Sequence, residues 1–267
     1  MKTLKNFVAV DWRSGKDKIY FFFKDDNTYS RFYMGDNDTP DKYPTPVNYG
    51  NWHDFHKHVK NLRFGFTTRH IEPEHSNNGD QDHLWLFYYD GSTPMVCKYD
   101  QDEDKVVYHR PVQRTLWHEI VPYFKNIIAG TWWEDPLFDF NTFRFLMNNG
   151  QSMRIKFAAR LSHAGRVKIE PINDTTWPGL APYQHRMITA AQNDRTLRDS
   201  HLYIFLTDNE YITYNIPENK VADGPTKVSE SSWASLLRDP EPEPVISDEI
   251  LALVNFGVAS SSRPFKK

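Results

Sequence analysis

The pattern of hydrophobic and polar positions repeats along the chain. Its clearest copy is the segment from His83 to Trp117, in which three short apolar or alternating runs are separated by Asp90-Gly91 and by an acidic stretch at 100–104. Runs of this length bounded by turn residues predict antiparallel strands, and the closing Trp opens a helical turn. The sequence therefore predicts a repeat protein made of strand-turn-strand units.

The spacing of the repeat indicates its architecture. The central residues of the second strands align as Tyr20, Trp85, Arg144 and Tyr203. About thirty residues after each of these comes an aligned Trp, namely Trp52, Trp117, Trp177 and Trp233. The preceding apolar runs carry a small residue, which is Ala9, Gly65, Gly130 or Ala190. Four such units predict an all-β fold, a four-bladed β-propeller with four antiparallel strands per blade and short helical turns between blades. A sandwich does not predict this period, and βαβ units would need longer helical patterns.

The predicted organisation is a single propeller domain over residues 1–267. The expected blades cover about 1–60, 61–126, 127–186 and 187–258. In the first blade, strands are expected near 7–12, 18–24, 28–34 and 43–48, followed by a short helix in NWHDFHKHV. The run 250–258, ILALVNFGV, copies the inner-strand pattern a fifth time after a linker rich in Pro and acidic residues. We expect this last strand to close the ring beside the first blade.

This arrangement of strands and Trp residues resembles the hemopexin-like four-bladed β-propeller family across essentially the whole chain. The resemblance specifies a fold far better than an activity. It implies a disulfide between the first and last blades in secreted members, and this chain departs from that pattern because Cys97 is its single cysteine. The family also suggests a cation held by inner-strand carbonyls in the channel.

Composition and charge exclude several classes of protein. Among 267 residues, 32 Lys and Arg and 35 Asp and Glu are interspersed, giving a net charge of −3 and no basic face for nucleic acid. The low mean hydropathy argues against a membrane protein. The N-terminal apolar run is too short for a signal peptide, and a lone Cys97 agrees with a reducing compartment. The sequence therefore predicts a cytoplasmic protein of undetermined oligomeric state.

The candidate site lies at the end of the propeller where the inner strands exit. Strand alternation predicts an axial layer of Asp11, Thr67, Trp132 and Gln192. A register slip of one residue would replace this layer by Trp12, Thr68, Trp133 and Asn193. The loops that follow begin with Arg13, Arg69-His70, Glu134 and Asp194-Arg195. Aromatic walls with a few convergent polar groups are typical of a small-molecule pocket. In the alternative interpretation, the Trp residues plug the channel and the charges form a solvated rim.

Metal and cofactor sites are not predicted. His53, His56 and His58 lie close together in sequence, but no further ligand recurs at a matching spacing, so a solvated helix face is favoured. The acidic turn at 100–104 lacks the Gly and the terminal Glu of a calcium loop. The sequence also lacks a Gly-rich phosphate loop, HExxH and GxSxG.

In its length, its fold and its lack of a signal, the chain is similar to the fungal hetero-Diels-Alderases of tropolonic sesquiterpene biosynthesis. That resemblance implies a cofactor-independent pericyclase of secondary metabolism. Such an enzyme dehydrates a hydroxymethyl tropolone to a quinone methide and directs its cycloaddition to a humulene-type terpene. The candidate catalytic residues are Asp11, Arg69, His70 and Asp194. Asp11 or Asp194 and His70 would transfer protons, and Arg69 would bind the tropolonate. The candidate substrate-binding residues are Trp12, Thr67, Trp132, Trp133, Gln192 and Asn193.

A different class of function is a non-enzymatic hemopexin-like binding module for a sugar, a polyamine or haem. Such modules tend to repeat a ligand-binding residue in every blade, whereas an enzyme pocket is asymmetric. The loops after the four inner strands differ in length and content, which favours the enzyme. The expected partner is a small hydrophobic or aromatic substrate, without nucleic acid or membrane.

Overall fold

The strands of the chain form four separate sheets, each with four antiparallel strands in sequence order. The computed structural model describes residues 2–4, 6–69, 71, 82–135, 140–158, 167–193 and 199–239, without the side chains of 133–135, 140–141 and 158. Residues 3–238 form one compact unit, and the described residues Lys2 and Asp239 do not belong to it. The compact unit is a four-bladed β-propeller, as the repeat predicts.

Each blade is a continuous stretch of sequence. The first contains β1 (Phe7–Trp12), β2 (Lys18–Phe23), β3 (Thr28–Tyr33) and β4 (Thr45–Pro46). The second contains β5 (Leu62–Arg69), β6 (Asp82–Asp90), β7 (Thr93–Asp100) and β8 (Lys105–Pro111). The third contains β9 (Ile127–Asp135), β10 (Phe140–Met147), β11 (Gln151–Ala158) and β12 (Lys168–Pro171). The fourth contains β13 (Met187–Gln192), β14 (His201–Leu206), β15 (Glu210–Asn215) and β16 (Lys220–Lys227). The predicted closing strand at 250–258 lies outside the described residues.

Short helices connect the blades. Helix α1 (Tyr49–Trp52) continues into a 3₁₀ helix, His53–Asn61, and further 3₁₀ helices cover Val112–Arg114, His118–Asn126 and Ala181–Tyr183. The side chain of Asn48 caps α1 by accepting a hydrogen bond from the backbone N–H of Gly50 at 2.8 Å. No helix in the described part of the chain is both long enough and apolar enough to cross a membrane.

The repeated Trp residues anchor the blades. All four are buried, and each packs against the central residue of the second strand of its own blade. Ring centroids lie 5.2 Å apart for Trp52 and Tyr20, 5.3 Å for Trp117 and Trp85, and 5.2 Å for Trp233 and Tyr203. In the third blade the guanidinium of Arg144 takes the place of the ring, 3.5 Å from the centre of Trp177. The edge-to-face contacts fill the wedge between neighbouring sheets with flat side chains.

Small residues on the inner strands allow neighbouring blades to approach one another. A Cβ atom at Gly65 would lie 2.7 Å from Val10 Cγ1 and 2.9 Å from the carbonyl oxygen of Trp85. A Cβ atom at Gly130 would lie 2.6 Å from the ring of Phe66. The crowding is therefore lateral, between adjacent inner strands, because the inner-strand side chains of a radial sheet point toward the blades on either side.

The described residues close the ring between the first and fourth blades. Thr3 pairs with Arg238 in an antiparallel bridge, and the backbone N–H of Leu4 donates to Asn209 Oδ1 at 2.8 Å. The guanidinium of Arg238 also pairs with Asp26 at 2.7 Å. Because Arg238 follows the last Trp and Asp26 lies in the first blade, these contacts join the two ends of the ring.

Candidate functional site

An axial network of polar side chains lies where the inner strands exit. Asp11 is 1% exposed; one carboxylate oxygen accepts the backbone N–H of Thr67 at 2.9 Å, and the other lies 3.2 Å from Nε of Arg13. The guanidinium of Arg13 reaches across to the third blade, 5.0 Å from the ring centre of Trp132. A contact between opposite blades spans the propeller axis, so Asp11, Arg13, Thr67 and Trp132 meet at this point.

Gln101 joins the axial network to the second blade. Its side-chain oxygen accepts the backbone N–H groups of Arg13 at 2.8 Å and of Ser14 at 3.2 Å. Its amide nitrogen donates to the hydroxyl of Thr67 at 2.8 Å, and that hydroxyl donates to the carbonyl oxygen of Asp11 at 2.9 Å. Gln101 was not among the sequence-predicted site residues because it lies in the acidic turn, far along the chain from every inner strand.

Gln192 plays a comparable part between the third and fourth blades. Its side-chain oxygen accepts the hydroxyl of Thr131 at 2.6 Å and the backbone N–H of Trp132 at 3.1 Å. Its amide nitrogen donates to Ser200 Oγ at 3.0 Å. The structure therefore brings Asp11 to Thr67 and Gln192 to Trp132, and Arg13 bridges the two pairs.

The buried position of Asp11 determines its electrostatics. Burial raises the pKa of Asp11, while the positive charge of Arg13 and the hydrogen bond from Thr67 oppose the rise. Both carboxylate oxygens are engaged by groups of the fold. The network thus fixes the mutual positions of the inner strands at this end of the propeller.

The remaining sequence-predicted site residues are placed as follows. Arg69 pairs with Asp82 at 3.3 Å beside the start of β6. Asn193 Oδ1 accepts the backbone N–H of His201 at 2.8 Å and its amide nitrogen donates to the carbonyl oxygen of Asp199, so it ties the end of β13 to the start of β14. His70, Asp194 and the side chain of Trp133 lie outside the described residues. Trp12 points away from the axis, toward the space between the first and second blades.

The three histidines of the 3₁₀ helix point to different partners. His53 Nε2 lies 2.7 Å from the carbonyl oxygen of Asp104, and His56 Nδ1 lies 2.6 Å from the carbonyl oxygen of His53. His58 stacks on Tyr88 with ring centroids 4.3 Å apart. In the part of the chain that the structure describes, no group of three or more His, Cys, Asp or Glu side chains could hold a metal ion.

A cavity of about 410 Å³ opens between the first and second blades; we call it the aromatic cleft. It is lined by Trp12, Ser14, Lys18, Tyr20, Tyr29, Arg31, Lys42, Tyr43, Gly50, Asn51, Trp52, Gln101 and Asp104. The tyrosine and tryptophan rings are in mutual edge contact, such as Tyr20 with Trp52 at 5.2 Å and Tyr29 with Tyr43 at 5.4 Å. Because Gln101 belongs to both, the aromatic cleft and the axial network are contiguous.

The aromatic cleft is positively charged. Lys18, Arg31 and Lys42 line it, and each lies over an aromatic ring, while the charge of Asp104 acts on Lys18 across the cleft. The one carboxylate among its described lining residues, Asp104, accepts a hydrogen bond from the hydroxyl of Tyr99 at 2.7 Å. Burial and the nearby charge of Arg31 lower the pKa of Lys18. Three cations against one carboxylate leave the lining with a net positive charge, which favours an anionic ligand.

Two buried donors line this cleft. Burial raises the pKa of Tyr20 to about 12, so its hydroxyl stays protonated at neutral pH. The indole N–H of Trp52 is buried without a hydrogen-bond partner in the described part of the chain. The anchors Trp117 and Trp233 share this property, and among these three Trp52 is the one that lines the cleft. Because the same N–H is buried in three of the anchors, it is a feature of the repeat rather than of the cleft.

The cation of the cleft recurs around the ring. Arg31 lies opposite Tyr20 in the strand register, and the equivalent pairs are Lys98 with Trp85, Arg154 with Arg144, and Thr213 with Tyr203. Three of the four blades therefore carry a cation at the same position of the third strand. The recurring cation can be recognised in the sequence once each third strand is paired in register with its second strand.

Comparison with known proteins supports the fold. No family model matches the chain, and no curated protein matches it. Among solved structures, a 2S albumin seed protein from Dolichos is similar over 87% of this chain and 96% of that one, with 12% identity and a TM-score of 0.53. Two structures of a mutant Aleuria aurantia lectin, with Fucα1-6GlcNAc and with α-methyl-L-fucoside, match at 10% identity and TM-scores of 0.30 and 0.31. They cover 85% of this chain and 62% of the lectin. At these identities the likeness to the seed albumin concerns the propeller fold alone.

Proposed function

We propose that this propeller is a binding protein for a small anion with a planar, aromatic part, and that the ligand occupies the aromatic cleft. The observation that carries the proposal is the grouping of Lys18, Arg31 and Lys42 around one cavity whose described lining has a single carboxylate, Asp104, and therefore a net positive charge. A carboxylate or tropolonate would neutralise the cations. Its ring would lie among the Tyr and Trp walls.

The charge of the cleft discriminates among ligand classes. A polyamine would bring further positive charge beside Lys18 and Arg31, and like charges in a partly buried site are unfavourable. A neutral sugar could stack on the aromatic rings but would leave the cations uncompensated. The third-strand cation recurs in three blades and lines a cavity in two of them, as Arg31 and Arg154, which fits the binding module better than a single asymmetric enzyme pocket.

The test is binding of aromatic probes to the wild-type protein and to Arg31→Gln. We expect salicylate and tropolone to bind saturably in isothermal titration and to quench Trp fluorescence, whereas benzyl alcohol and spermine should not. Loss of a charge-assisted contact is worth about 1.5–3 kcal/mol, so the dissociation constant for Arg31→Gln should rise about 10- to 100-fold.

A matched control is Arg110→Gln. Arg110 lies 4.2 Å above the ring of Tyr108 on β8, outside the aromatic cleft, so its replacement removes the same charge from another Arg-Tyr pair. This variant should bind the probes as the wild type does. Equal weakening in both variants, or equal affinity for salicylate and benzyl alcohol, would contradict the proposal.

A second candidate function is that of a cofactor-independent hetero-Diels-Alderase. This proposal includes that the chain is a member of the hemopexin-like propellers. The observation that favours it is the axial network, where the carboxyl of Asp11, with its raised pKa, lies beside Arg13 and Trp132. A proton donor, a cation and an aromatic wall are the groups that dehydration of a hydroxymethyl tropolone requires.

Incubation with a hydroxymethyl tropolone and a humulene alcohol, followed by chiral chromatography, tests this candidate. The enzyme should give a single enantiomer faster than the no-enzyme control, and Asp11→Asn should slow quinone-methide formation by about 10² to 10⁴ if Asp11 is the acid. Racemic adduct at the background rate would exclude the enzyme and leave the binding protein.

A further inference from the structure

A second charged cavity of about 400 Å³ lies between the third and fourth blades; we call it the polar pocket. It is lined by Thr142, Arg144, Arg154, Lys156, Glu170, Thr175, Thr176, Ile216, Pro217 and Asn219. None of its described lining residues is aromatic, in contrast to the aromatic cleft. They supply three cations, one carboxylate, three hydroxyls, an amide and two apolar side chains.

The polar pocket is structurally equivalent to the aromatic cleft, two blades further around the ring. Strand register pairs Arg144 with Arg154 as it pairs Tyr20 with Arg31. The blades on the other side of the two cavities also correspond. The hydroxyl of Tyr214 donates to Asn219 at the polar pocket, and the hydroxyl of Tyr99 donates to Asp104 at the aromatic cleft. The two cavities are therefore a repeated feature of the propeller, and their linings have diverged.

Arg144 is a fixed, partly buried cation in this pocket. Its guanidinium stacks 3.5 Å from the ring centre of Trp177 and donates to Asn219 Oδ1 at 2.6 Å and to the carbonyl oxygen of Thr176 at 2.5 Å. These acceptors are uncharged, and Arg144 forms no ion pair among the described residues. Burying a guanidinium without a carboxylate partner lowers the stability of the fold. Because the group is already held in one geometry, it is preorganised to bind an anion.

Arg154 and Lys156 extend the positive charge toward the mouth of the pocket. The carboxylate among the described lining residues, Glu170, lies 2.5 Å from Lys168, which is outside the lining, and 3.7 Å from Arg154. Glu170 is thus satisfied mainly by a cation that does not face the pocket. Three lining cations against one shared carboxylate leave the pocket positively charged.

We propose that the polar pocket is a second ligand site, which binds a phosphate group carried by a hydrophilic small molecule through Arg144, Arg154 and Lys156. Guanidinium groups match the geometry of a phosphate, and the absence of aromatic walls disfavours the planar ligands assigned to the aromatic cleft. The site stands on its own residues and does not require that the aromatic cleft be occupied.

The experiment is isothermal titration with inorganic pyrophosphate, compared with chloride at equal ionic strength. We expect one saturable site in the wild type and a dissociation constant at least about 30-fold higher in the double variant Arg154→Ala/Lys156→Ala, because two charge-assisted contacts are lost. The control is Arg110→Ala/Lys220→Ala, which removes the same charge from exposed positions outside both cavities. This control should bind within about 2-fold of the wild type.

Glu170→Gln provides a gain-of-binding test. Removing the carboxylate from the lining should tighten pyrophosphate binding by about 3- to 10-fold, since it removes a like charge. Arg31→Gln should leave pyrophosphate binding unchanged, so failure of the aromatic cleft and failure of the polar pocket give different results. The proposal is overturned if the wild type shows no saturable site, if both double variants weaken binding equally, or if Arg31→Gln alone abolishes it.

Discussion

Gly65 occupies a position where a side chain of any size meets backbone. Its added Cβ would lie 2.9 Å from the carbonyl oxygen of Trp85, which the sheet holds in place, and 2.7 Å from Val10 Cγ1. We expect overpacking in Gly65→Ala to lower the free energy of unfolding by about 1–3 kcal/mol. This corresponds to a melting temperature lower by roughly 2–10 °C. Gly35→Ala is the control, because nothing lies within 4 Å of its Cβ position. Melting curves that coincide for the two variants would refute the explanation by close approach.

His109 links stability to pH. Its Nδ1 lies 2.8 Å from the hydroxyl oxygen of Tyr88, and its Nε2 is buried without a hydrogen-bond partner among the described residues. Burial lowers the pKa of His109 to about 4, and the adjacent His58 adds to the shift. The pKa of His58 is itself lowered, again mainly by burial. Both rings are therefore neutral in the folded protein at a pH where they are protonated in the unfolded chain.

The sign of the pH dependence follows from these shifts. The unfolded chain binds protons at these histidines as the pH falls through about 6.5, whereas folded His109 binds its proton near pH 4, so stability decreases across this window. We expect the melting temperature to fall by several degrees between pH 7 and pH 5, above the range in which ordinary carboxylates are protonated. His109→Gln should flatten this slope, whereas His118→Gln, at a partly exposed site, should not. An unchanged slope in His109→Gln would show that other groups cause the dependence.

At the scale of the element, the Trp connectors organise the blade interfaces. Trp117 is fully buried and lies in edge contact with Phe66 at 5.3 Å, Phe143 at 4.9 Å and Phe157 at 5.8 Å. Trp117→Ala removes these contacts and leaves a cavity, which should cost about 3–5 kcal/mol. Chemical denaturation measures this loss. Tyr49→Ala, at a site 59% exposed, should change stability by less than about 0.5 kcal/mol and serves as the control.

Strand positions were largely predictable because alternation and turn residues are local signals. The first blade was expected to have strands near 7–12, 18–24 and 28–34, and the observed strands are Phe7–Trp12, Lys18–Phe23 and Thr28–Tyr33. The fourth strand is only Thr45–Pro46, shorter than the expected 43–48. Proline has no N–H to donate to a ladder, so the outermost strand pairs with β3 over two residues.

The cavities between blades were not predictable from local pattern. The aromatic cleft needs Arg31 and Trp52 from one blade and Asp104 from the next, and no periodicity links residues so far apart. The sequence does indicate a cation on three of the third strands. It does not reveal that Lys98 is 1% exposed, over the ring of Trp85, while Arg31 faces an open cavity. That difference depends on what the neighbouring blade contributes at each interface.

At the scale of the whole molecule, the two cavities lie at alternate interfaces of the ring. The aromatic cleft lies between the first and second blades and the polar pocket between the third and fourth, so the propeller has an approximate two-fold repeat of blade pairs. The axial network joins the same pairs of blades, but in opposite directions: Asp11 of the first blade accepts the N–H of Thr67, whereas Gln192 of the fourth accepts that of Trp132. A molecule with two divergent copies of one site is suited to binding two different anions.

Closure of the ring is the property on which the whole molecule depends. In the described residues, the first and fourth blades share an aromatic core, and the N-terminal segment adds the Thr3–Arg238 bridge and the bond from Leu4 N–H to Asn209 Oδ1. The sequence also predicts a closing strand at 250–258. The contacts of the N-terminal segment and the predicted strand at 250–258 can be removed separately, because they lie in different parts of the chain.

Asn209→Gly removes the acceptor of Leu4 and preserves the positive φ of 57° that the turn requires. We expect the free energy of unfolding to fall by about 1 kcal/mol, the typical net value of a hydrogen bond, and the melting temperature to fall by roughly 2–4 °C. Asn27→Gly, at φ 56° in the equivalent turn of the first blade, is the control for the glycine itself.

The second test removes the predicted closing strand. From the surplus inner-strand pattern, we expect a chain ending at residue 245 to melt many degrees lower than the full-length chain. If the shortened chain melts as the full-length chain does while Asn209→Gly melts lower than Asn27→Gly, the ring is closed by the N-terminal segment and Arg238, and the strand at 250–258 has no part in closure.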